Sequence, residues 1–266
     1  MPGDHAVAGP YDHLAAADPV LRALVRRHGR PDPFTWAVVD GVATTDFGGL
    51  LLHIISQQIS TTVALTLFHR VEGAAGGVLD PPRVVGLGTG RLHELGLSRA
   101  KAAAIVGVAE RHLAGTLDTA HLDASTDEQA VAALTAAPGV GPWTAQMFLI
   151  HQLRRPDVLP AGDLGIRHAV QVGWALPALP RVADVQERGR GWSPYRTYAA
   201  ALLWASLHAA PTGTSTGRTT DVRRRRAAQA RGASRSTGSA PHRQEVVVPS
   251  EPLTTSGERV DDRHHA

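Results

Sequence analysis

The chain of 266 residues has no cysteine. Disulfides, a cysteine nucleophile, Cys-ligated zinc and a Cys-ligated iron–sulfur cluster are therefore excluded. The lack fits a reducing compartment, and we expect a cytoplasmic protein. No apolar run reaches membrane-spanning length, so we expect no membrane partner. Met1-Pro2-Gly3-Asp4-His5 has neither the basic nor the apolar region of a signal peptide. Lysine is nearly missing too: Lys101 is the only one, and it is a poor candidate for a Schiff-base nucleophile. Strand patterning is absent apart from a short apolar stretch near Trp36–Val39. The terminal Arg263-His264-His265 offers no divalent-metal spacing.

Positive charge is also missing where a nucleic-acid binder would want it. The whole chain is formally +3, with 27 basic and 24 acidic residues. Ten basic and six acidic residues lie from Pro211 onward, which leaves 17 basic and 18 acidic in the first 210. Net charge therefore gives the folded part no hold on a phosphate backbone, and a local surface would have to supply one.

What is present reads as helices. Leu14, Leu21, Leu24 and Val25 lead from Asp12 to His28, with Pro19 as a dividing point. Leu50, Leu51, Ile54, Ile55 and Gln58 fall at helical spacing from about Thr45. Ser60, Asp80 and Ser98 stand at starts of further helices, the last from Arg99 to His112. Ser125-Thr126-Asp127-Glu128 reads as a capping box for a helix ending near Ala136. Helices follow from Pro142 to about Leu153, over Leu164–Trp174, Val182–Arg188 and Tyr195–His208. We expect an all-α fold, a flexible leader over 1–10, a domain over 11–210, and a disordered Arg/Ser/Thr/Gly-rich tail over 211–266.

Two runs carry chemistry. Ala137-Pro138-Gly139-Val140-Gly141-Pro142-Trp143-Thr144-Ala145 has the makings of a tight hairpin between helices. Its glycines permit positive φ and close approach of another backbone, and Pro142 suits a first helical position. The free amides at such a helix start can hold a phosphate. Downstream, Pro160-Ala161-Gly162-Asp163-Leu164-Gly165 puts one carboxylate at the start of a new helix, where it could serve as a cap, as an acid–base group, or as both.

The hairpin run resembles that of the helix-hairpin-helix DNA glycosylase superfamily, and within it the 3-methyladenine DNA glycosylase II branch. Ile54-Ile55-Ser56-Gln57-Gln58-Ile59-Ser60, Leu95-Gly96-Leu97-Ser98-Arg99-Ala100-Lys101-Ala102, and Ser193-Pro194-Tyr195-Arg196-Thr197-Tyr198-Ala199 with Trp204 resemble other segments of the family in the same order. The resemblance spans about residues 45–208. It implies two helical subdomains, about 11–44 plus 154–210 and about 45–153, with the active cleft between them. Some relatives carry an additional N-terminal β domain; with only about 40 residues before the first match, we expect it to be absent.

The same resemblance implies site residues. Asp163 matches the catalytic aspartate. Trp143 stands where lyase-competent relatives carry lysine, which implies a monofunctional enzyme. Trp143, Tyr195, Met147 and Trp192 would line the base pocket. Electron-rich rings there suit a base carrying positive charge. Gly139, Val140, Gly141, Thr144, Gln57 and Gln58 would meet DNA, with Gln58 as the wedge in the gap left by a flipped nucleotide. His53 is read as structural. The hairpin carbonyls of Thr135, Ala137 and Val140 could hold Na+ or K+; no other cofactor is required. We expect a monomer acting on damaged double-stranded DNA, removing alkylated purines of the 3-methyladenine and 7-methylguanine type. A non-catalytic lesion-binding module and a glycosylase for deaminated or oxidised bases stand as alternatives.

Overall fold

The protein is described by a computed structural model that covers residues 9–35, 42 and 45–208. All regular structure among the described residues is helical, with no strand. The apolar stretch near Trp36–Val39, residues 1–8 of the expected leader and the expected tail over 211–266 lie outside the described residues.

Helix α1 (Pro10–Ala17) and α2 (Pro19–His28) are two helices parted at Asp18, whose carboxylate accepts the N–H groups of Val20 and Leu21 at 2.8 and 3.4 Å. Pro19 thus opens α2, where its missing N–H costs nothing. Helix α1 begins at Pro10, two residues before the start near Asp12 read from the sequence. Helix α3 (Asp46–Ser56), capped by the Thr45 hydroxyl, is buried from Phe47 to its end and forms the central axis. Ser60, Asp80 and Ser98 cap α4 (Thr61–Ala74), α5 (Pro81–Glu94) and α6 (Arg99–Leu113). Helix α5 kinks at Gly88, where φ is +68°. A 3-10 turn at Thr119–Ala124 leads to α7 (Asp127–Thr135). Its capping box lies one residue later than read from the sequence. Thr126 and Gln129 exchange the two bonds, at 3.2 and 3.0 Å, instead of Ser125 and Glu128. Then come α8 (Pro142–His151), α9 (Leu164–Gly173), α10 (Val182–Arg188), a 3-10 turn at Gly189–Trp192 and α11 (Arg196–His208).

Two apolar cores result. One surrounds α3 and gathers Phe68, Leu92, Ile105, Leu134 and Phe148. The other joins Tyr11, Leu14 and Leu21 of the N-terminal helices to Ile166, Val170, Leu202 and Leu203 of α9 and α11. Each fully buried side chain of this size stabilises by about 1.5–3 kcal/mol. Trp204 packs against both cores.

The chain crosses from one core to the other over residues 155–159, and polar bonds pin the crossing. The Arg155 guanidinium donates to the carbonyls of Asp123 and Ser125 at 2.8 Å each. Asp157 accepts two bonds from the Arg196 guanidinium, at 2.8 and 2.9 Å, and one from the Ser193 hydroxyl at 2.7 Å. Burial alone would push the Asp157 carboxyl up, but the bonds from Arg196 and Ser193 outweigh it and hold it below the ordinary range. The start of α11 is thereby fixed against the crossing segment, which matters for the site below.

Candidate active site

The hairpin between α7 and α8 is built from main chain. The Val140 N–H donates to the Ala137 carbonyl at 3.1 Å, closing the turn, and Val140 and Ala137 are both buried in the first core. Gly139 has φ +85°, and a Cβ there would stand 2.4 Å from the Cβ of Ala104 on α6. Only glycine fits, because both the backbone and the space exclude a side chain. At Gly141, the N-cap of α8, an added Cβ would meet nothing within 4 Å. No side chain caps α8, so the amides of its first turn remain for water or an anion.

Facing the hairpin is the turn after α3. The Gln57 side-chain amide donates to the Gly139 carbonyl at 3.0 Å and to the Thr144 hydroxyl at 2.8 Å. Two expected DNA contacts are therefore placed differently. Thr144 is buried with its hydroxyl turned inward, and the Gln57 amide is engaged with the hairpin rather than held out to a partner. Gln58 is not on the helix, as its spacing suggested, but past its end at φ +57°, exposed at the cleft mouth. The Lys101 ammonium donates to the carbonyls of Ile55 and Gln57 at 2.7 Å each. Burial pulls its pKa down from the ordinary lysine value.

Asp163 is the N-cap of α9. One carboxylate oxygen accepts the Ile166 N–H at 2.9 Å and the Trp204 indole N–H at 3.1 Å. The other accepts the Trp143 indole N–H at 2.8 Å. Three donors from α8, α9 and α11 thus aim one carboxylate, and capping and orientation are the same set of bonds. Gly165 leaves the room: a Cβ there would come within 3.0 Å of the Asp163 carboxylate. Trp204 was placed by the sequence only in a matching segment. Its contact with Asp163 depends on how α11 is rotated, and no local pattern announces that.

The cleft lies between the two cores. Its deep part is a cavity of about 400 Å³ with Ser56, Trp143, Met147 and His151 on one side and Pro31, Asp163, Ala201 and Trp204 on the other. A wider mouth joins it through shared Ser56, Ile59, Trp143 and Asp163, and runs past Gln58 to the hairpin. Trp143 and Met147 are where the pocket reading put them. Trp192 and Tyr195 are not. Trp192 is fully buried in the second core, its ring 5.7 Å from that of Trp174. Tyr195 stacks edge-on with His13 and Tyr198 at 5.3 and 5.8 Å. Neither lines the cavity: Trp192 belongs to the second core and Tyr195 packs against it.

His151, on the cavity wall, stacks on the buried His53 with ring centroids 5.3 Å apart. Burial holds His151 down to about 4, and burial followed by the charge of His151 holds His53 well below the histidine range. The pair is therefore neutral at pH 7. Among the described residues no three His, Asp or Glu side chains gather as a metal site. An ion at the hairpin would have only the backbone carbonyls of Thr135, Ala137 and Val140. That of Ala137 already accepts the Val140 N–H and keeps one lone pair.

The family described as HhH-GPD superfamily base excision DNA repair protein matches residues 52–194. YfjP of Bacillus subtilis (strain 168) is 30% identical over 161 residues, which are 58% of this chain and 56% of that protein. DNA-3-methyladenine glycosylase 1 of Schizosaccharomyces pombe is 30% identical over 158 residues, 58% of this chain and 69% of that one. This chain thus spans little more than half the length of the first relative. Among solved structures, the S. pombe 3-methyladenine DNA glycosylase Mag1 in complex with abasic DNA superposes with a TM-score of 0.69 at 27% identity. It covers 77% of this chain and 99% of that one.

Proposed function

This chain belongs to the HhH-GPD superfamily of base excision DNA repair proteins, and from that premise we propose that it is a monofunctional DNA glycosylase for alkylated purines. The observation that carries the reading is the Asp163 carboxylate, aimed into a cavity by two indole N–H groups. The names of the relatives, DNA-3-methyladenine glycosylases among them, and the abasic-DNA complex of a structural neighbour support the substrate class.

In this reading the hairpin amides grip a phosphate and the target nucleotide leaves the stack for the cavity. The faces of Trp143 and Trp204 favour a base carrying positive charge, as a ring-nitrogen alkylation produces. The C1′–N bond breaks with its electron pair going to the base, which leaves neutral because it was cationic. Positive charge develops on the sugar, and the fixed carboxylate of Asp163 stabilises it. Water then adds at C1′, with Asp163 placed to take its proton. The product is free base and an abasic site. Strand cleavage needs an amine nucleophile, and Trp143 cannot supply one. The chain's single lysine is engaged with two carbonyls. A Na+ or K+ ion on the carbonyls of Thr135, Ala137 and Val140 would add charge beside the gripped phosphate. The two subdomains, the monomeric state and the cytoplasmic setting belong to the same proposal.

A panel of single-lesion duplexes tests it. Release of 3-methyladenine and 7-methylguanine, with no strand cleavage and no borohydride-trapped adduct, is the expected result. Release of only deaminated or oxidised bases would change the substrate class. Binding to abasic duplex without release of any base would leave a lesion-binding module.

A further inference from the structure

Lys101 lies in the first turn of α6, where its own N–H is taken by the Ser98 hydroxyl cap at 3.2 Å. Its side chain does not extend into solvent. It crosses to the end of α3 and donates to two carbonyls, those of Ile55 and Gln57, at 2.7 Å each. The last carbonyls of a helix have no partners within it, and a cation there also meets the negative end of the helix dipole. The Gln57 carbonyl belongs to the peptide that joins Gln57 to Gln58, so the ammonium fixes the plane of that peptide.

Gln58 needs such fixing. Its φ of +57° is a left-handed conformation that a residue with a Cβ adopts at a cost of about 1–2 kcal/mol. Strain of this kind persists only where the surroundings over-determine it. A second strap completes the determination, since the Gln57 amide is bonded to the Gly139 carbonyl and the Thr144 hydroxyl of the hairpin. The turn is therefore held by α6 from one side and by the hairpin from the other, while the Gln58 side chain stays exposed at the mouth of the cleft.

We infer that Lys101 is a positioning residue for lesion recognition: with Gln57 it holds residue 58 in its left-handed turn, so that the Gln58 side chain enters the gap in the duplex as a preset group. The inference rests on the reading of Gln58 as the wedge. Lys101 itself touches neither base nor sugar, and it acts on the reaction only through Gln58.

A duplex with a tetrahydrofuran abasic-site analogue and 2-aminopurine beside the gap reads wedge insertion directly, by its change in fluorescence on binding. Wild-type protein should change the emission; Q58A, K101M and Q57L should each largely abolish that change, and K101R should restore it. Single-turnover release from a 7-methylguanine duplex should slow about tenfold in K101M, the size of the lost charge-assisted bond to the Gln57 carbonyl, which is the one that fixes the peptide before Gln58. K101M added to Q58A should cost nothing further, because both act at one place. Q57L carries the test if K101M does not fold. A wild-type protein that leaves the emission unchanged overturns the inference. So do losses in K101M and Q58A that multiply, or normal emission changes in either K101M or Q57L. If wild type inserts the wedge but releases no base from any lesion, the glycosylase reading fails, and the abasic-duplex arm still decides the role of Lys101.

Discussion

The core around α3 brings the hairpin amides and the turn at Gln58 to the cleft, whereas the core around α9 and α11 brings the Asp163 carboxylate. On the first side stand the amides of the hairpin and the left-handed turn at Gln58, held by Lys101 and Gln57. On the second side stands Asp163, with Trp204 of α11 directing it and Trp143 reaching over from α8. Backbone groups cannot be exchanged by substitution, so the first side is sensitive to where glycine is required. The second is sensitive to the identity of one carboxylate. In the proposed reading, a chain whose first 210 residues carry 17 basic and 18 acidic residues grips DNA by locally placed groups, aimed amides among them, rather than by net charge.

This contrast sets the expected sizes of effect. The largest belongs to Asp163. Asp163→Asn keeps one acceptor oxygen, for the Ile166 and Trp204 N–H groups, but turns its NH2 towards the Trp143 indole N–H and loses the charge, so base release under single-turnover conditions should fall about a thousandfold. The melting temperature should change little. Next is Gly139→Ala, which meets both the positive φ and the Ala104 contact. It should destabilise the fold by about 2–4 kcal/mol in denaturant titration. Gly141→Ala should stay within about 0.5 kcal/mol of wild type and weaken DNA binding instead.

The histidine pair gives a pH signature of similar size. His151 binds its proton at about 4 in the folded chain and near 6.5 when unfolded. Between those values the unfolded state holds the extra proton. Stability should therefore fall as pH drops from about 6.5 to about 4, by about 3 kcal/mol for His151. His151→Phe should reduce that slope, as read by urea titrations across the range. The smallest effect is that of Trp204→Phe. It removes one of three donors to Asp163 and should slow base release about tenfold with the fold intact.

Much of this was legible in the chain. The caps at Ser60, Asp80 and Ser98, the hairpin glycines and the carboxylate opening α9 are local signals, and each is set by residues within a few positions. What could not be read are contacts fixed by distant residues. Gln58 continues a helical spacing, yet Lys101 and the hairpin hold the turn that takes it off the helix. Thr144 looks like a polar residue on a helix exposed to a partner, yet Gln57 occupies its hydroxyl. Tyr195 and Trp192 carry rings suited to a pocket, but the second core takes both. Trp204 reaches Asp163 because the Asp157–Arg196 pair and Thr197 set the start of α11, and that arrangement has no signature in sequence. Sequence thus locates the chemistry better than it locates the supports.

The most direct test of the division between gripping backbone and acting carboxylate is the single-turnover rate of base release from an alkylated duplex, followed as a function of enzyme concentration for Gly141→Ala and Asp163→Asn. Gly141→Ala should need more enzyme to saturate but then approach the wild-type rate, because it loses binding alone. Asp163→Asn should saturate like wild type and remain about a thousandfold slow at every concentration. Recovery of Asp163→Asn at high enzyme, or a Gly141→Ala variant that stays slow at saturation, would contradict the account.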